Sequence, residues 1–307
     1  MKHVYIISPV YNEQDNIEAL NSAIVNIMGN LPYNYSLLFI DDGSTDNTLD
    51  KIKKIASGNA AVQYISLSRN FGHQSALKAG LDKAYGDCVI SMDADMQHPA
   101  DLIPAMLEKY EEGYEVVYTL RQEDKSLPFF KRRTSAFFYS LINRLSDVNI
   151  EKGSADFRLL SIRVVKIIRN LSEYDLFFRG LVKWVGFRQV AIEYSVVKRM
   201  NGTTKYTFKK MLTFAIFGIT AFSTKPLYIA AYLGFLFSLL SFLYLPYVLF
   251  SYYFGYTISG WASVIVTIAF FGGLQLMILG IIGVYLSRMF MQVKNRPVYI
   301  IKESTIQ

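Results

Sequence analysis

The chain has 307 residues, room for one good-sized globular domain and something smaller beside it. Its hydrophobic fraction of 52% and mean hydropathy of +0.23 are high for a water-soluble enzyme, and its single cysteine excludes an internal disulfide or a thiolate metal cluster. The net charge of +7 comes from cations concentrated near the apolar segments, a placement that suits an anionic membrane surface or a phosphate ligand and not a nucleic acid.

Met1–Val10 lacks a basic region leading into an apolar run and a small-residue site, so no cleavable signal peptide is expected. Short apolar, β-rich runs occur at Val4–Val10, Leu37–Asp41, Val62–Leu67, Val89–Asp93 and Val116–Thr119. Helical periodicity fills the intervals at Ile17–Met28, Thr48–Ala56, Ser75–Ala84 and Leu102–Glu112. This alternation predicts an α/β fold, with a mostly parallel sheet covered by helices on both faces. Ligands of such sheets gather at the carboxyl ends of the strands. The polar clusters fall at those ends: Asn12-Glu13, Asp41-Asp42-Gly43-Ser44, Arg69-Asn70 and Asp93-Ala94-Asp95.

Asp93-Ala-Asp-Met-Gln97 is the sharpest of these clusters. Two carboxylates and an amide oxygen after a buried strand form an oxygen-rich site suited to Mg²⁺ or Mn²⁺, leaving positions for water and substrate phosphates. Asp41-Asp42 supplies acceptors for a base or ribose, and Ser44 or Thr45 is placed to cap the helix that follows. No phosphate-cradling G-x-x-x-x-G-K-[ST] or dinucleotide G-x-G-x-x-G is present, nor a G-x-S-x-G nucleophile. His3, His73 and His98 show no metal-ligand spacing and read as structural or incidental, although His98 borders the acidic motif. Cys88 lies in an apolar run and reads as inert.

The region from Leu127 to Phe222 departs from the alternation. Lys131, Arg132 and Arg133 open an aromatic helical run, against the helix dipole. A bound phosphate or an anionic lipid surface would relieve that conflict, and both readings stay open. Thr207–Thr220 has apolar residues at helical spacing beside Lys205, Lys209 and Lys210, as an interfacial helix or a core helix would. From Pro226 to Ser287 there is no charge at all, and about 60 such residues suit two membrane spans. The spans expected are Leu227–Phe254 and Trp261–Leu286, the alternative being a buried helical hairpin. Cations flank both outer ends and the connecting loop has none, which predicts both termini on the cytoplasmic side.

Taken in order, Pro9-Val-Tyr-Asn-Glu13, Asp41-Asp-Gly-Ser44 and Asp93-Ala-Asp-Met-Gln97 resemble the family-2 inverting glycosyltransferases of the GT-A fold. Ser68-Arg-Asn-Phe-Gly72, Ala155-Asp-Phe-Arg-Leu159, Lys183-Trp-Val-Gly186, Arg199 with Gly202 and Lys205-Tyr206, and Arg296-Pro-Val-Tyr-Ile-Ile-Lys302 extend the resemblance to the polyprenyl-phosphate sugar transferases. Among these, the bactoprenol glucosyltransferases are the most similar, with dolichol-phosphate mannose synthase related. The resemblance implies a GT-A domain over 1–205 with an acceptor-side helix at 127–147. A juxtamembrane helix at 206–225, two spans over 226–290 with an external loop near 255–260, and a cytoplasmic tail at 291–307 would follow.

It also implies roles. Pro9, Tyr11, Glu13, Ile40 and Asp42 would line the nucleotide pocket with Ala94. Asp93, Asp95 and Gln97 would hold the metal and the donor diphosphate. Arg121, Arg132, Arg133, Arg199 and Lys205 would bind phosphates of donor and acceptor, with Arg179 a further candidate. Asp95 and Asp156 would be the catalytic carboxylates, Asp156 as base, as organiser, or as half of a structural Asp–Arg pair. The implied reaction moves a hexose, best matched by glucose from UDP-glucose, onto undecaprenyl phosphate at the cytoplasmic face of the inner membrane. Another activated sugar such as a UDP-N-acetylhexosamine is the alternative, and a non-catalytic nucleotide-binding scaffold is an alternative of another class. A homo-oligomer, a tetramer for choice, is expected.

Overall fold

A computed structural model of the chain describes residues 1–122, 143–145, 151, 153–174, 176–194, 218–255 and 260–306. Eight strands form one sheet: β1 His3–Val10, β2 Asn34–Asp41, β3 Val62–Leu67, β4 Cys88–Ser91, β5 Val116–Arg121, β6 Ser154–Ser161, β7 Gln189–Tyr194 and β8 Ile301–Ser304. Their order is β7-β5-β6-β4-β1-β2-β3-β8. β3, β2, β1 and β4 run parallel, while β6 is antiparallel to both β4 and β5, and β8 is antiparallel to β3. The expectation of a mostly parallel α/β sheet holds. The five predicted strands are present, and β6, β7 and β8 were not among them.

The helices of the domain are α1 Ile17–Met28, α2 Thr48–Gly58, α3 His73–Lys83, α4 Ile103–Glu111, α5 Ile162–Arg169 and α6 Phe178–Trp184. β1 is buried along nearly its whole length because helices cover both faces. Its alternate residues divide between two cores. Val4, Ile6 and Val10 meet Ile17, Leu20, Phe39, Met106 and Phe157 on one face. Tyr5 and Ile7 meet Ile40, Leu77, Leu81, Val164 and Ile168 on the other. α3 lies close on this second face, since a Cβ at Gly80 would stand 2.8 Å from Ile40 Cδ1. That close approach fixes where the first turn of α3 meets the carboxyl edge of the sheet.

Two further helices, α7 Lys225–Tyr253 and α8 Trp261–Val293, are 29 and 33 residues long. At 1.5 Å per residue they extend roughly 43 and 50 Å, more than the ~30 Å hydrocarbon core of a bilayer. α8 runs seven residues past the expected end at Leu286. No residue in the most apolar window of either helix is buried, which argues against the buried-hairpin alternative. They touch through Phe237 against Phe270 and Phe271. Near the domain, the Tyr285 hydroxyl donates to the Ser223 carbonyl at 2.7 Å.

The chain after α8 does not run on as a tail. It returns to the domain and adds β8 to the sheet edge, with Lys53 paired to Glu303 at 2.6 Å. The Tyr299 hydroxyl donates to Asp82 Oδ2 at 2.9 Å, and Asp82 also pairs with the buried Lys78. Tyr299→Phe removes one hydrogen bond while leaving that pair intact. A loss of about 1 kcal/mol in denaturant unfolding of the detergent-solubilised protein is expected, with faster tryptic cleavage at Lys302.

Candidate active site

The carboxyl ends of β1, β2 and β4 open into a cleft of about 340 Å³ lined by Pro9, Tyr11, Glu13, Asp42, Asn70, His73, Asp93 and Asp95, among others. Three loops build it, and each is cross-linked to another. Asn12, in the left-handed region at φ 55°, donates its N–H to Ser44 Oγ at 3.0 Å and accepts the Thr45 N–H at 2.8 Å. The Glu13 N–H donates to Thr48 Oγ1 at 2.9 Å. Ser44 and Thr45 therefore serve this cross-link instead of capping α2, which begins only at Thr48, where Asp46 Oδ1 accepts the N–H at 3.0 Å.

The adjacent carboxylates of β2 both work on the protein itself. Asp41 accepts the Ser44 N–H at 3.1 Å and the Ser66 hydroxyl at 2.9 Å. Asp42 accepts the N–H groups of Phe71 at 2.7 Å and Gly72 at 2.9 Å, anchoring the loop that enters α3. Burial pushes the Asp42 carboxyl up, against the pull of those two amides. Gly43 has φ 71°, and a Cβ there would lie 2.5 Å from the backbone carbon of Arg69, so the spacing D-D-G reflects a close approach of two loops.

The acidic turn after β4 presents Asp93 and Asp95 to the cleft. Asp95 Oδ1 accepts the Gln97 N–H at 3.1 Å across Met96, whose φ of 57° marks the tightness of the turn. Burial pushes the Asp93 carboxyl up, while His73 and His98 favour its ionised form. His73 Nε2 lies 3.5 Å from Asp93 Oδ1 and 3.7 Å from Asp156 Oδ2, so the ring stands between the two carboxylates.

Asp156 comes from the start of β6 and is buried. Arg179 grips it through Nε at 3.1 Å and one terminal nitrogen at 3.0 Å, and Arg158 donates to it at 3.2 Å. Burial opposes ionisation of Asp156, but Arg179 and then Arg158 outweigh it and hold the carboxyl well below the usual carboxylate range. Arg158 is itself buried and also donates to the Ala155 carbonyl at 2.8 Å. Tyr194, at the end of β7, pairs in register with Arg121. Arg121, exposed at the end of β5, thus borders the same edge of the sheet.

Of the residues expected from the sequence, Pro9, Tyr11, Glu13, Asp42, Asp93, Ala94 and Asp95 line the cleft, and Asp156 lies beside it. Gln97 joins through its backbone. Ile40 does not: strand alternation turns its side chain into the core under Gly80. Arg132, Arg133, Arg199 and Lys205 lie outside the described residues, as do most of the helices expected at 127–147 and 207–220. Asn70 belongs to the Arg69-Asn70 cluster expected at the strand ends, whereas His73, read as structural or incidental, was missed as a site residue; its place in the first turn of the helix after β3 was the signal. Among the described residues, no three His, Cys, Asp or Glu side chains converge as a complete metal cage.

This α/β domain, with an acidic cleft at its strand ends, matches a family of glycosyl transferases. The chain belongs to glycosyl transferase family 2, whose model matches residues 5–168. It is 44% identical to the glycosyltransferase YkcC of Bacillus subtilis (strain 168), over 97% of this chain and 93% of that one. It is 38% identical to the bactoprenol glucosyl transferase of Shigella phage SfII, over 98% of each chain. A solved mannosyltransferase of Pyrobaculum calidifontis, in complex with GDP-Man and Mn²⁺, is similar with a TM-score of 0.49 at 15% identity, covering 71% of this chain and 63% of that one.

Replacing Asp156 by Ala strands the buried Arg158 guanidinium without its carboxylate, and a loss of about 3–5 kcal/mol is expected. Because its folded pKa is depressed, Asp156 contributes stability above the unfolded carboxylate range, and that contribution is lost as pH falls below it. Chemical denaturation of wild type and variant should therefore differ most at neutral pH and converge in strong acid.

Proposed function

We propose that this protein transfers a hexose, glucose from UDP-glucose, to a polyprenyl phosphate such as undecaprenyl phosphate, with inversion and with Mg²⁺ or Mn²⁺. The observation that carries the reading is the joining of an acidic strand-end cleft to two exposed apolar helices on one chain. A polyprenyl tail stays in the bilayer, so the domain that modifies its phosphate must work at the membrane surface. Full-length similarity to a bactoprenol glucosyl transferase supports the same acceptor and sugar. The cations flanking both helices support a cytoplasmic domain, the side on which nucleotide sugars are made.

The donor set fits a divalent ion. Asp93 and Asp95 offer hard carboxylate oxygens, with Gln97 adjacent, and this incomplete set leaves positions for water and the diphosphate of the donor. When bound, the ion supplies Lewis-acid stabilisation of charge on the departing nucleoside diphosphate. Tyr11, Glu13 and Asp42 form the walls against which the nucleoside sits.

The acceptor is a phosphomonoester, ionised for the most part at neutral pH since its second pKa is about 6 by analogy with phosphorylated side chains. It needs no strong base. Asp156 is correspondingly a poor one, with both oxygens engaged by arginines. Its role in the reaction is to orient Arg179, and Arg121, Arg132, Arg133, Arg199 and Lys205 complete the phosphate-binding set.

The test mixes the purified protein in detergent with undecaprenyl phosphate, Mn²⁺ or Mg²⁺, and a panel of radiolabelled nucleotide sugars. Label from UDP-glucose should enter the organic phase and fail to do so with EDTA. Transfer from a UDP-N-acetylhexosamine alone would replace the sugar, and no transfer from any donor by folded protein would overturn the reaction. Asp95→Asn should lower turnover by at least ~100-fold, about 2.7 kcal/mol of barrier, with membrane insertion unchanged.

A further inference from the structure

The Asp93 carboxylate is flanked by two imidazoles that the reaction as described leaves without a task. His98 follows it by five residues and is buried, its ring stacked on Phe157 with centroids 5.3 Å apart and planes 19° from parallel. Its Nδ1 accepts the backbone N–H of Asp93 itself at 3.1 Å. A ring nitrogen that accepts carries no proton, so the hydrogen of the neutral ring sits on Nε2. Nε2 is the atom that faces Asp93 Oδ2, at 3.8 Å. On the other side, His73 opens α3 behind the loop that Asp42 anchors, and its Nε2 stands 3.5 Å from Asp93 Oδ1.

A carboxylate at the end of a side chain turns in a broad torsional well, so its facing is set by what surrounds it. His73 and His98 each bring a ring nitrogen within 3.8 Å of the Asp93 carboxylate. Each addresses a different oxygen. We infer that His98 and His73 are positioning residues that brace the Asp93 carboxylate from its two sides and so aim it at the divalent cation of the reaction. His98 does this with a tautomer locked by the backbone of the very residue it orients. His73, 3.7 Å from Asp156, also sets the spacing between the donor-side and acceptor-side carboxylates. The inference rests on the proposed metal-dependent transfer, and partners of this kind typically change metal affinity or activity by about 10–100-fold when removed.

The experiment measures Mn²⁺ affinity of the full-length protein in detergent with UDP present, by the electron paramagnetic resonance signal of free Mn²⁺. Wild type is compared with His98→Asn, His73→Ala, His73→Gln and Asp95→Asn, each checked for an unchanged thermal unfolding profile. His98→Asn keeps an acceptor near the Nδ1 position and loses the Nε2 donor. His73→Ala and His98→Asn should each weaken Mn²⁺ about 10-fold or more and lower kcat more than they raise the donor KM. His73→Gln, which restores a donor, should recover most of both. Normal Mn²⁺ affinity in folded His98→Asn and His73→Ala, with affinity lost in Asp95→Asn, overturns the brace and leaves the metal reading standing. Normal affinity in Asp95→Asn as well overturns the metal reading, and the brace with it.

Discussion

The site depends on one strand running the wrong way. β6 is inserted antiparallel between β4 and β5, so its beginning, and not its end, lies at the carboxyl edge of the parallel strands. Pairing of Ser91 with Arg158 carries Asp156 to the level of the turn that holds Asp93. A parallel strand in that place would have put Asp156 at the opposite edge. The cost of this placement is a charged pair deep in the sheet, offset by the arginines: Arg158 within the same strand and Arg179 from the first turn of α6. The Ser91 hydroxyl, donating to the Asp156 carbonyl at 2.7 Å, and the Thr119 hydroxyl, donating to the Phe157 carbonyl at 2.9 Å, hold β6 from both neighbours.

The same sheet also fixes the domain relative to the apolar helices. α8 is followed within eight residues by β8, which pairs with β3 on the sheet edge. α7 begins beside Ser223, whose carbonyl accepts from Tyr285 of α8. Gln292 near the end of α8 binds the loop after α5 twice, accepting the Tyr174 N–H at 2.8 Å and donating to the Ser172 carbonyl at 2.6 Å. These contacts set the domain's orientation relative to α7 and α8. For the proposed lipid-bound acceptor, a fixed orientation would set proximity and alignment before the substrate arrives.

How much of this was legible in the sequence follows from how local each signal is. β1 to β5 and α1 to α4 announce themselves because buried parallel strands are continuous apolar runs and their covering helices are amphipathic. The α1 range Ile17–Met28 is the same in sequence and structure. β6 was hidden because Asp156 and Arg158 interrupt its apolar run, and only their mutual pairing lets them be buried. β8 was hidden because four residues of alternating exposure gain meaning only from β3, distant in sequence. The acidic pair Asp93 and Asp95 was readable from type and position alone. Ile40 was not, since its facing depends on the pleat and on a glycine forty residues away.

The histidines mark the limit of reading by spacing. A metal-ligand search asks whether side chains recur at intervals that let them touch one ion, and His73 and His98 fail that question. They sit twenty-five residues apart on different elements and converge on a carboxylate instead. Two requirements meet at Asp93. The sheet end that presents it to the cleft leaves it half-buried, and that burial favours the protonated acid. A carboxylate only partly reached by solvent gains from polar neighbours supplied by the fold. His98 comes from the turn that follows the acidic motif, and His73 from the helix whose entry Asp42 secures. Asp42 and Asp93, which follow β2 and β4, are therefore linked through the start of α3, so one element borders both walls of the cleft.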